Sequence, residues 1–546
     1  MASDNPRLRS TPGVHVTEAD AFGSSIVGVS TAVPIFVGYT EFAGDPVTGA
    51  ALYNRPVAIA SMADYQSYFG GADGPPFVVV PGATDPAAFT VVRRPGARPD
   101  GFNLYWQMRL FFANGGGDCF IVSVGSYGDD QYPTTAANIA AAPRGTIEAD
   151  RLNGGIAAAS YAVGPTMLVV PEACQLGLAD YGEVACAMLT QAGQLQDRVA
   201  ILDLPGCLAA DSFAALTAAQ ADFWTAIAPA QASASYGAAY APAVNASILA
   251  PGDVHYMQLA APDGDNDIIN AMLTTAAVQL YQGPQLATIQ AAIATAFPPS
   301  AGITGNSPQY SGDASGYPAR QPGTALAGWQ VSLDNLLSNA LPLYRQILQA
   351  VVDVLNVLPP SGILAGIWTT SDAQNGVWNA PANIALASVD SPLCLVTDDQ
   401  QGGFNVPVNG LAINILRAFP GRGTLVWGAR TLDGNSHDYH YIQVRRELIY
   451  IGQSIKTALQ AYAFAPNDAT TWATVSAAIS GFLTGVWQQG GLMGGKASDA
   501  LQVQCGLGTT MTAQNVLDGY MIVSVTLAIT HPAEFIQLTF SQTMGS

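Results

Sequence analysis

Three short stretches of this sequence carry residue types that could perform chemistry, and the first resembles a nucleotide-binding loop. Residues 490–497 read GGLMGGKA, which nearly matches the pattern G-x-x-x-x-G-K-[ST]. Ala497 stands where that pattern needs the hydroxyl group that holds magnesium, and the preceding residues predict a helix instead of a strand. The sequence therefore argues against a nucleotide site here.

The second stretch contains two histidines that could bind a metal ion. His437 and His440 flank Asp438 and lie beside the aromatic, β-prone run from Tyr439 to Val444, which predicts a strand. Residues three apart in a strand point to opposite faces, so the two imidazole rings would diverge. We therefore predict solvated or interface histidines at these positions.

The third stretch is a run of three glycines at residues 115–117. Glycine-rich loops that hold phosphate lead from a strand into the N-terminus of a helix. Here the order is reversed, because residues 110–124 predict a helix that ends at the glycines and a strand that follows them. A phosphate site is therefore not expected.

No other motif in the sequence points to catalysis or to a cofactor. The six cysteines are scattered without a C-x-x-C pair or a zinc spacing, which indicates reduced, buried thiols. No G-x-S-x-G, H-E-x-x-H or EF-hand pattern is present, and the first predicted strand-to-helix turn lacks the dinucleotide fingerprint. We predict no catalytic, cofactor-binding or metal-binding residues, and no cofactor.

Composition indicates a large folded chain with several domains. The chain has 546 residues, of which 49% are hydrophobic and only 11% charged. Its net charge of -20 argues against nucleic-acid binding, which needs clustered Lys and Arg, and Lys456 and Lys496 are the only lysines. Neither an apolar signal segment nor an uninterrupted apolar span of membrane length is visible. We expect cytoplasmic synthesis, no direct membrane insertion, and a surface partly covered by other subunits.

The middle of the chain predicts an α/β fold. Residues 167–170, 197–203 and 235–242 are strand signals, and helical stretches at 180–195 and 213–226 separate them. Strands that alternate with helices at this spacing favour a parallel sheet covered on both faces. The apolar residues 26–39 predict a further buried strand.

The C-terminal part predicts two amphipathic helices and several strands. Residues 424–427 read as a strand, 433–436 as a turn, and an apolar stripe with helical spacing follows from Val444. A second helix is expected from Asn467 to Gln489, with a cap at its start and glycines at its end. Its apolar stripe is Trp472, Val475, Ile479, Phe482 and Val486. Strands are expected at 520–529 and 535–540.

Several of these stretches, in this order, resemble contractile tail sheath proteins. The motifs are FPGRGTLVWGARTL (419–432), YIQVRR (441–446) and a run of FAPND, TW, FL and W between 464 and 490. Near the N-terminus, TPGVHVTE (11–18) and GVSTAVPIFVGY (28–39) are similar to the arm and first core strand of the family. This family builds the outer tube of contractile phage tails and of related injection systems.

The resemblance implies a mixed α/β, multi-domain sheath subunit. Its core would come from the N- and C-terminal segments, with a parallel-sheet middle domain and extended terminal β-arms. The expected regions are an arm (1–24), the first part of the core (25–130), an α/β middle domain (131–250), an outward-facing insertion (251–357), the C-terminal sheath domain (358–519), and terminal strands with an arm (520–546).

The same resemblance implies partners and a place of action. Copies of the chain would stack as hexameric rings in a helical array around an inner tube protein, with baseplate and terminal cap components as further partners and no nucleic acid. Contraction would drive the tube through a target envelope. We expect assembly in the cytoplasm, as part of a phage tail or of a tail-like particle that is released from the cell.

Two sets of residues follow as candidate contact sites. The terminal arms would exchange strands between subunits, because they lack a local hairpin partner and open strand edges are liabilities. Those residues are Val14, His15, Val16, Phe535, Ile536, Leu538 and Phe540. Sheath relatives present a helix near 467–489 to the tube, which implies a tube contact by Asp468, Thr471, Thr474, Gln488 and Gln489.

Two questions stay open at the level of sequence. The chain could instead be an α/β enzyme of hydrolase-like architecture, since fold does not fix function, but that reading needs a convergent polar site. Residues 251–357 depart from the family pattern and are interpreted as a surface insertion or a specialised docking domain. If they are an insertion, a short Gly/Ser linker should replace them without loss of folding.

Overall fold

The computed structural model describes residues 26–82, 88–93, 101–128, 132–135, 146–260, 266–299 and 321–535. Their contacts divide the chain into two units. The larger unit falls within Val29–Tyr450 and His531–Ser546, and the smaller within Met1–Gly28 and Ile451–Thr530.

Strands and helices are numbered here in chain order. The strands are β1 (Pro34–Thr40), β2 (Val57–Ile59), β3 (Phe77–Pro81), β4 (Phe89–Arg93), β5 (Cys119–Ser126), β6 (Met167–Val169), β7 (Val199–Asp203), β8 (Gly237–Ala241), β9 (Val244–Ala246), β10 (Val357–Leu358), β11 (Val389–Pro392), β12 (Ile413–Phe419), β13 (Gly423–Trp427), β14 (Leu501–Gln504) and β15 (Ser524–Leu527). The helices are α1 (Met62–Phe69), α2 (Leu104–Ala113), α3 (Ala149–Ala159), α4 (Leu178–Leu195), α5 (Phe213–Ile227), α6 (Asp267–Leu280), α7 (Gly283–Ala296), α8 (Gly328–Ala340), α9 (Pro342–Leu355), α10 (Ser361–Asn375), α11 (Asp398–Asn405), α12 (Ile442–Leu459), α13 (Ala469–Gln488), α14 (Ala497–Ala500) and α15 (Ala513–Leu517).

A mixed sheet forms the centre of the larger unit. Within the described residues its eight strands run in the order β13, β12, β8, β7, β6, β1, β5, β2. The six inner strands are mutually parallel, while β2 and β13 pair antiparallel at the two edges. All seven residues of β1 are buried, as expected for a strand covered on both faces. This confirms the predicted mixed α/β fold.

Two hydrophobic layers cover this sheet. On one face Leu152 of α3, Val184 of α4 and Phe223 of α5 pack with Val37 of β1 in one buried cluster. On the other face α2 and α10 contribute to a second cluster, which includes Phe36 of β1. Along the chain, β6, α4, β7, α5 and β8 follow one another, so the helix-strand alternation predicted for the middle of the chain is present. Side chains on successive strand positions alternate between the two layers.

Residues 439–444 differ from the expectation of a β-prone run. Tyr439 and His440 lie in a turn, and α12 begins at Ile442. Only an isolated antiparallel bridge between Arg430 and Tyr441 remains of the predicted pairing. The helical spacing of apolar residues that starts within this run outweighs the local β propensity.

The region 251–357 forms helices whose apolar faces belong to the main core. Leu273 of α6, Ile293 of α7 and Ile347 of α9 lie in the same buried cluster as Phe36 of β1. The region ends in β10, a strand of a second, three-stranded sheet, where Val357 pairs with Asn245 of β9. Replacement of the region by a linker is untested, but these contacts lead us to expect a loss of folding, because removal of the region would expose that core.

The smaller unit contains a long helix and a two-stranded sheet. The Asp468 carboxylate caps α13 by accepting from the Thr471 amide at 2.9 Å, and Gly490, with φ of 90°, follows the helix. Strands β14 and β15 pair antiparallel, with Leu501 opposite Leu527. The predicted strand at 520–529 is shorter than expected, and its partner β14 was not recognised from the sequence.

Candidate assembly surfaces

The carboxyl edge of the parallel sheet is where α/β folds usually bind ligands, at the point where the strand order reverses. Here the chain runs from β5 on one side of β1 to β6 on the other side. Glu172 follows β6, is fully buried, and accepts a hydrogen bond at 2.9 Å from the Leu104 amide at the start of α2. Gly38 makes the space, since a Cβ there would lie 2.3 Å from Glu172 Oε2. A side chain of the protein thus occupies this crevice.

Aromatic rings and a second carboxyl group complete the closure. Phe102 stacks on Tyr127 with ring centroids 4.9 Å apart, and Tyr39 packs on Phe102 at 5.0 Å. Asp203, at the end of β7, accepts hydrogen bonds from the Ser361 amide at 2.9 Å and from the Ser361 hydroxyl at 2.5 Å. Both oxygens of Asp203 and Oε1 of Glu172 are thus engaged with neighbours in the fold, whereas the buried Oε2 of Glu172 has no hydrogen-bond partner among the described residues.

Residues of the remaining candidate motifs form hydrogen bonds within the fold. Residues between α13 and the four-residue helix α14 carry the glycine-rich stretch, and the Trp487 indole donates to the Gly494 carbonyl at 3.0 Å. The His440 Nδ1 atom is hydrogen-bonded to the Ser436 carbonyl. Across the described ranges, no group of three or more His, Cys, Asp or Glu side chains could hold a metal ion.

Two adjacent arginines anchor the start of α12, a role that sequence reasoning missed. Arg446 donates to both carboxylate oxygens of Asp372 at 2.8 and 2.6 Å and lies over the Trp368 ring. Arg445 lies between the rings of Tyr236 and Tyr439, 4.2 and 3.9 Å from their centroids. Buried guanidinium groups need such partners, since desolvation is otherwise too costly. The YIQVRR motif was the available signal, but it did not reveal these distant partners.

The sheet of β14 and β15 has one apolar and one polar face. Leu501 and Val503 lie opposite Leu527 and Val525 on the apolar face and are only partly buried. Opposite them, Gln502 and Gln504 pair with Thr526 and Ser524 on the polar face. In the described part of the chain, each strand has the other as its only ladder partner, so the outer edges of both strands remain unpaired.

The predicted tube-contact residues are distributed unevenly on α13. Its buried side is Val475, Ile479, Leu483 and Val486. Asp468 and Gln488 are exposed, as is Gln489, whereas Thr471 and Thr474 are partly buried. The Asp468 carboxylate is engaged in the helix cap. Whether these residues contact a tube remains a prediction.

Most of the predicted strand-exchange residues lie outside the described part of the chain. Val14, His15, Val16, Ile536, Leu538 and Phe540 fall there. Phe535 is described, and its side chain is 75% exposed. Strand exchange by these residues remains a prediction.

Low charge distinguishes residues 451–530 of the smaller unit. Residues 451–530 include only five charged side chains: Lys456, Asp468, Lys496, Asp499 and Asp518. Large exposed hydrophobic side chains occur near the small sheet, including Leu517 at 80% and Tyr520 at 62% exposure. None of the described helices is both long and apolar enough to cross a bilayer. The unit thus offers uncharged, partly apolar surface to other proteins.

Comparison with known proteins gives one family and several related assemblies. Residues 435–543 match the family model described as the phage tail sheath C-terminal domain. The chain is 24% identical over 200 residues to the tail sheath protein of Vibrio phage KVP40, an alignment covering 32% of this chain and 28% of that relative. The alignment thus spans less than a third of the curated relative's length.

Solved structures are similar over almost the whole chain. A chain of the anti-feeding prophage baseplate, from a six-fold symmetrised cryo-EM structure, is 24% identical with a TM-score of 0.55, covering 98% of this chain and 99% of that one. The contracted PVC sheath complex of an extracellular contractile injection system is 25% identical with a TM-score of 0.51, covering 98% of each chain. The fold is that of contractile sheath subunits.

Proposed function

The chain carries a phage tail sheath C-terminal domain within a sheath-subunit fold, and from this premise we propose that it polymerises around an inner tube. Contraction of the polymer would then drive the tube through a target envelope. Repeated heterologous contacts between identical subunits generate open helical arrays of this kind. The subunit is proposed to act mechanically, as part of a phage tail or a tail-like particle.

The small sheet of β14 and β15 is the observation that carries the proposal. A two-stranded sheet is marginally stable alone, and its open edges invite pairing with other strands. The terminal arms supply strands that would satisfy those edges when they come from neighbouring copies. Such links would join subunits through flexible connections that survive a large change in subunit packing.

The uncharged face of α13 supports the second part of the proposal, contact with an inner tube. Ala473, Ala477 and Gly481 are exposed along this helix, with Gln488 near its end. A face of small, uncharged side chains allows close approach. Burial of such a face costs little desolvation free energy, so the contact can form and break easily as a subunit slides or detaches. We place the tube against this face, with baseplate and cap components at the ends of the array.

Contraction in this scheme needs no bound cofactor. The extended array would be a kinetically trapped state, and the energy released on contraction would come from improved packing between subunits. The closed crevice at Glu172 supports this view, because the usual ligand position of the fold is filled by the protein.

Co-expression with the tube protein of the same gene cluster tests the proposal. We expect negative-stain micrographs to show hollow cylinders that exist in a long and a short form. Sedimentation that gives only monomers with and without the tube protein would contradict it. Electron microscopy of the native particle would also decide between a phage tail and an injection system.

A further inference from the structure

The carboxylate of Glu534 is held by three side chains from three separate parts of the larger unit. Arg430 donates from Nε to Glu534 Oε1 at 3.0 Å and from Nη2 to Oε2 at 2.6 Å. Asn405, at the end of α11, donates to Oε1 at 2.7 Å, and the Tyr441 hydroxyl donates to Oε2 at 3.0 Å. Every partner is a donor, so the site is matched to an ionised carboxylate.

This site is partly enclosed, which strengthens the interactions within it. The side chains of Arg430 and Glu534 are 9% and 19% exposed. Burial alone would raise the pKa of Glu534, but hydrogen bonds from Arg430 and Asn405 hold it below its usual value. Arg430 is also fixed from the other side, since its Nη1 donates to the Gly434 carbonyl. The receiving side chains are therefore positioned for their ligand.

Little else attaches this segment to the larger unit. Among the described residues, Ala533, Glu534 and Phe535 make no backbone hydrogen bond. Ala533 and Phe535 are exposed, so apolar burial contributes little. Within residues 533–535 the attachment thus depends on one carboxylate, one position before Phe535, where the predicted strand 535–540 begins. Just before this segment, the ring of His531 lies 6.1 Å from the ring of Tyr441.

We propose that Asn405, Arg430 and Tyr441 form a carboxylate-binding site whose ligand is Glu534, and that this site fixes the starting point of the C-terminal arm, residues 535–546. The inference rests on the proposed function, because the arm is taken to add a strand to a neighbouring copy. Strand addition requires a defined register and direction. A fixed starting point supplies both, whereas a freed segment would have to be ordered again at each assembly step.

The test compares full-length Glu534→Gln with wild type. An amide offers one acceptor oxygen and turns an NH₂ group toward donors, so the variant should lose the site while keeping its size. Asp398→Asn is the matched control, because Asp398 pairs with Arg417 at the same groove, is 90% exposed and does not contact Glu534. Circular dichroism first establishes that all three proteins are folded.

Two measurements then decide the inference. Chymotrypsin should cleave the folded monomer after Phe535 at least tenfold faster in Glu534→Gln than in wild type or the control, because cleavage needs a segment that is free to leave the surface. The critical concentration for cylinder formation, measured by sedimentation, should rise at least tenfold for Glu534→Gln alone.

Each contrary result has a distinct meaning. An unchanged cleavage rate would show that the carboxylate does not hold the segment, and would overturn the binding site. Faster cleavage with unchanged assembly would overturn its role in positioning the arm. If wild type forms no cylinders, the proposed function fails, while the cleavage measurement still decides whether the site binds Glu534.

Discussion

Three buried carboxyl groups in the larger unit favour their protonated form. Burial raises the pKa of Glu172 and of Glu447 to about 8, and that of Asp203 to about 7. Glu447 is the extreme case, because neither of its oxygens has a hydrogen-bond partner. In the unfolded chain each carboxyl group has its usual, lower pKa. At pH values between the unfolded and the folded pKa, folding is therefore accompanied by the uptake of protons.

Glu447→Gln should stabilise the chain at high pH and have a smaller effect at low pH. From the unfolded pKa of about 4.5 up to about 8, the folded state binds the extra proton, so its stability falls as pH rises. Glutamine is neutral and removes this dependence. Between pH 5.5 and 8.5 we expect the variant's gain over wild type in unfolding free energy to grow by roughly 3 kcal/mol, since each unit is worth about 1.4 kcal/mol. Urea unfolding of monomers at both pH values measures it.

Glu183→Gln provides the control for this change, because Glu183 is exposed on α4. We expect it to alter the unfolding free energy by less than about 0.5 kcal/mol at either pH. An equal gain for Glu447→Gln at pH 5.5 and 8.5 would contradict the argument, since the benefit would then come from packing and not from the proton.

At the scale of residues, the partners of the buried charged side chains could not be predicted from the sequence. The run from Val444 to Glu447 was visible as part of a motif and of a helical pattern. Asp372, the ionic partner of Arg446, lies on α10. Tyr236, whose ring packs against Arg445, precedes β8. Contacts over such separations depend on tertiary packing, which local periodicity does not encode. For the same reason, no sequence pattern singled out Glu534.

At the scale of elements, the helices of residues 251–357 behave as part of the core. Tyr344 of α9 is fully buried, and its hydroxyl donates to Asp334 of α8 at 2.6 Å. The Asn356 side chain, at the end of α9, donates to the Leu249 carbonyl at 3.1 Å and accepts from the Leu249 amide at 3.2 Å. The region therefore both covers and ties down residues that precede it.

Replacement of residues 251–357 by a Gly/Ser linker should abolish folding. The reason is loss of the apolar layer that α6, α7 and α9 place on the shared core. We expect the protein to appear in the insoluble fraction, or to lack a cooperative thermal transition. A replacement confined to residues 301–319 is the control and should remain folded. Cooperative unfolding of the full replacement would restore the interpretation of a dispensable insertion.

Removal of either terminal arm should separate folding from assembly. Deletion of residues 1–18, or of 535–546, leaves the sheet of the larger unit intact, and the second deletion also retains Glu534. Both proteins should melt cooperatively like wild type but form no stable cylinders, because the edges of β14 and β15 would lack incoming strands. Sedimentation and electron microscopy check this, and normal assembly by either variant would exclude strand exchange by that arm.

Periodicity predicted the helices and buried strands well, while short strands escaped it. The buried runs of β1, β6 and β7 and the helices α4 and α5 follow from hydrophobic spacing and flanking turn residues. Strand β14 has four residues, of which only two are apolar, whereas all three residues of β6 are apolar and buried, so only β6 forms a recognisable apolar run. Its pairing with β15 is set by the fold around α13.

For the whole molecule, charge is concentrated in the larger unit. Residues 451–530 contain two lysines and three aspartates, so nearly all of the net charge of -20 lies elsewhere. Close packing of many acidic copies is opposed by repulsion over distances near the Debye length, about 10 Å at 0.1 M salt. In the proposed assembly, contacts through the uncharged surfaces of the smaller unit would have to outweigh that repulsion.

Added salt should therefore promote cylinder formation. Raising sodium chloride from 20 to 300 mM screens repulsion between acidic copies and leaves strand pairing and apolar contacts largely unaffected. We expect the critical concentration to fall several-fold, as measured by sedimentation at constant pH. Sodium sulfate at matched ionic strength separates screening from salting-out. A critical concentration that rises with salt would indicate that attractive ion pairs dominate the subunit contacts.

The position of β14 and β15 along the chain has a consequence for synthesis on the ribosome. The last strand of the large sheet ends at Trp427, whereas the small sheet begins at Leu501. At about 5–20 residues per second, translation leaves roughly 4–15 s between these points. The nascent chain can close its main sheet before the proposed acceptor edges exist. With strand exchange as proposed, chains growing side by side on one messenger would thereby be kept from joining while they are still incomplete.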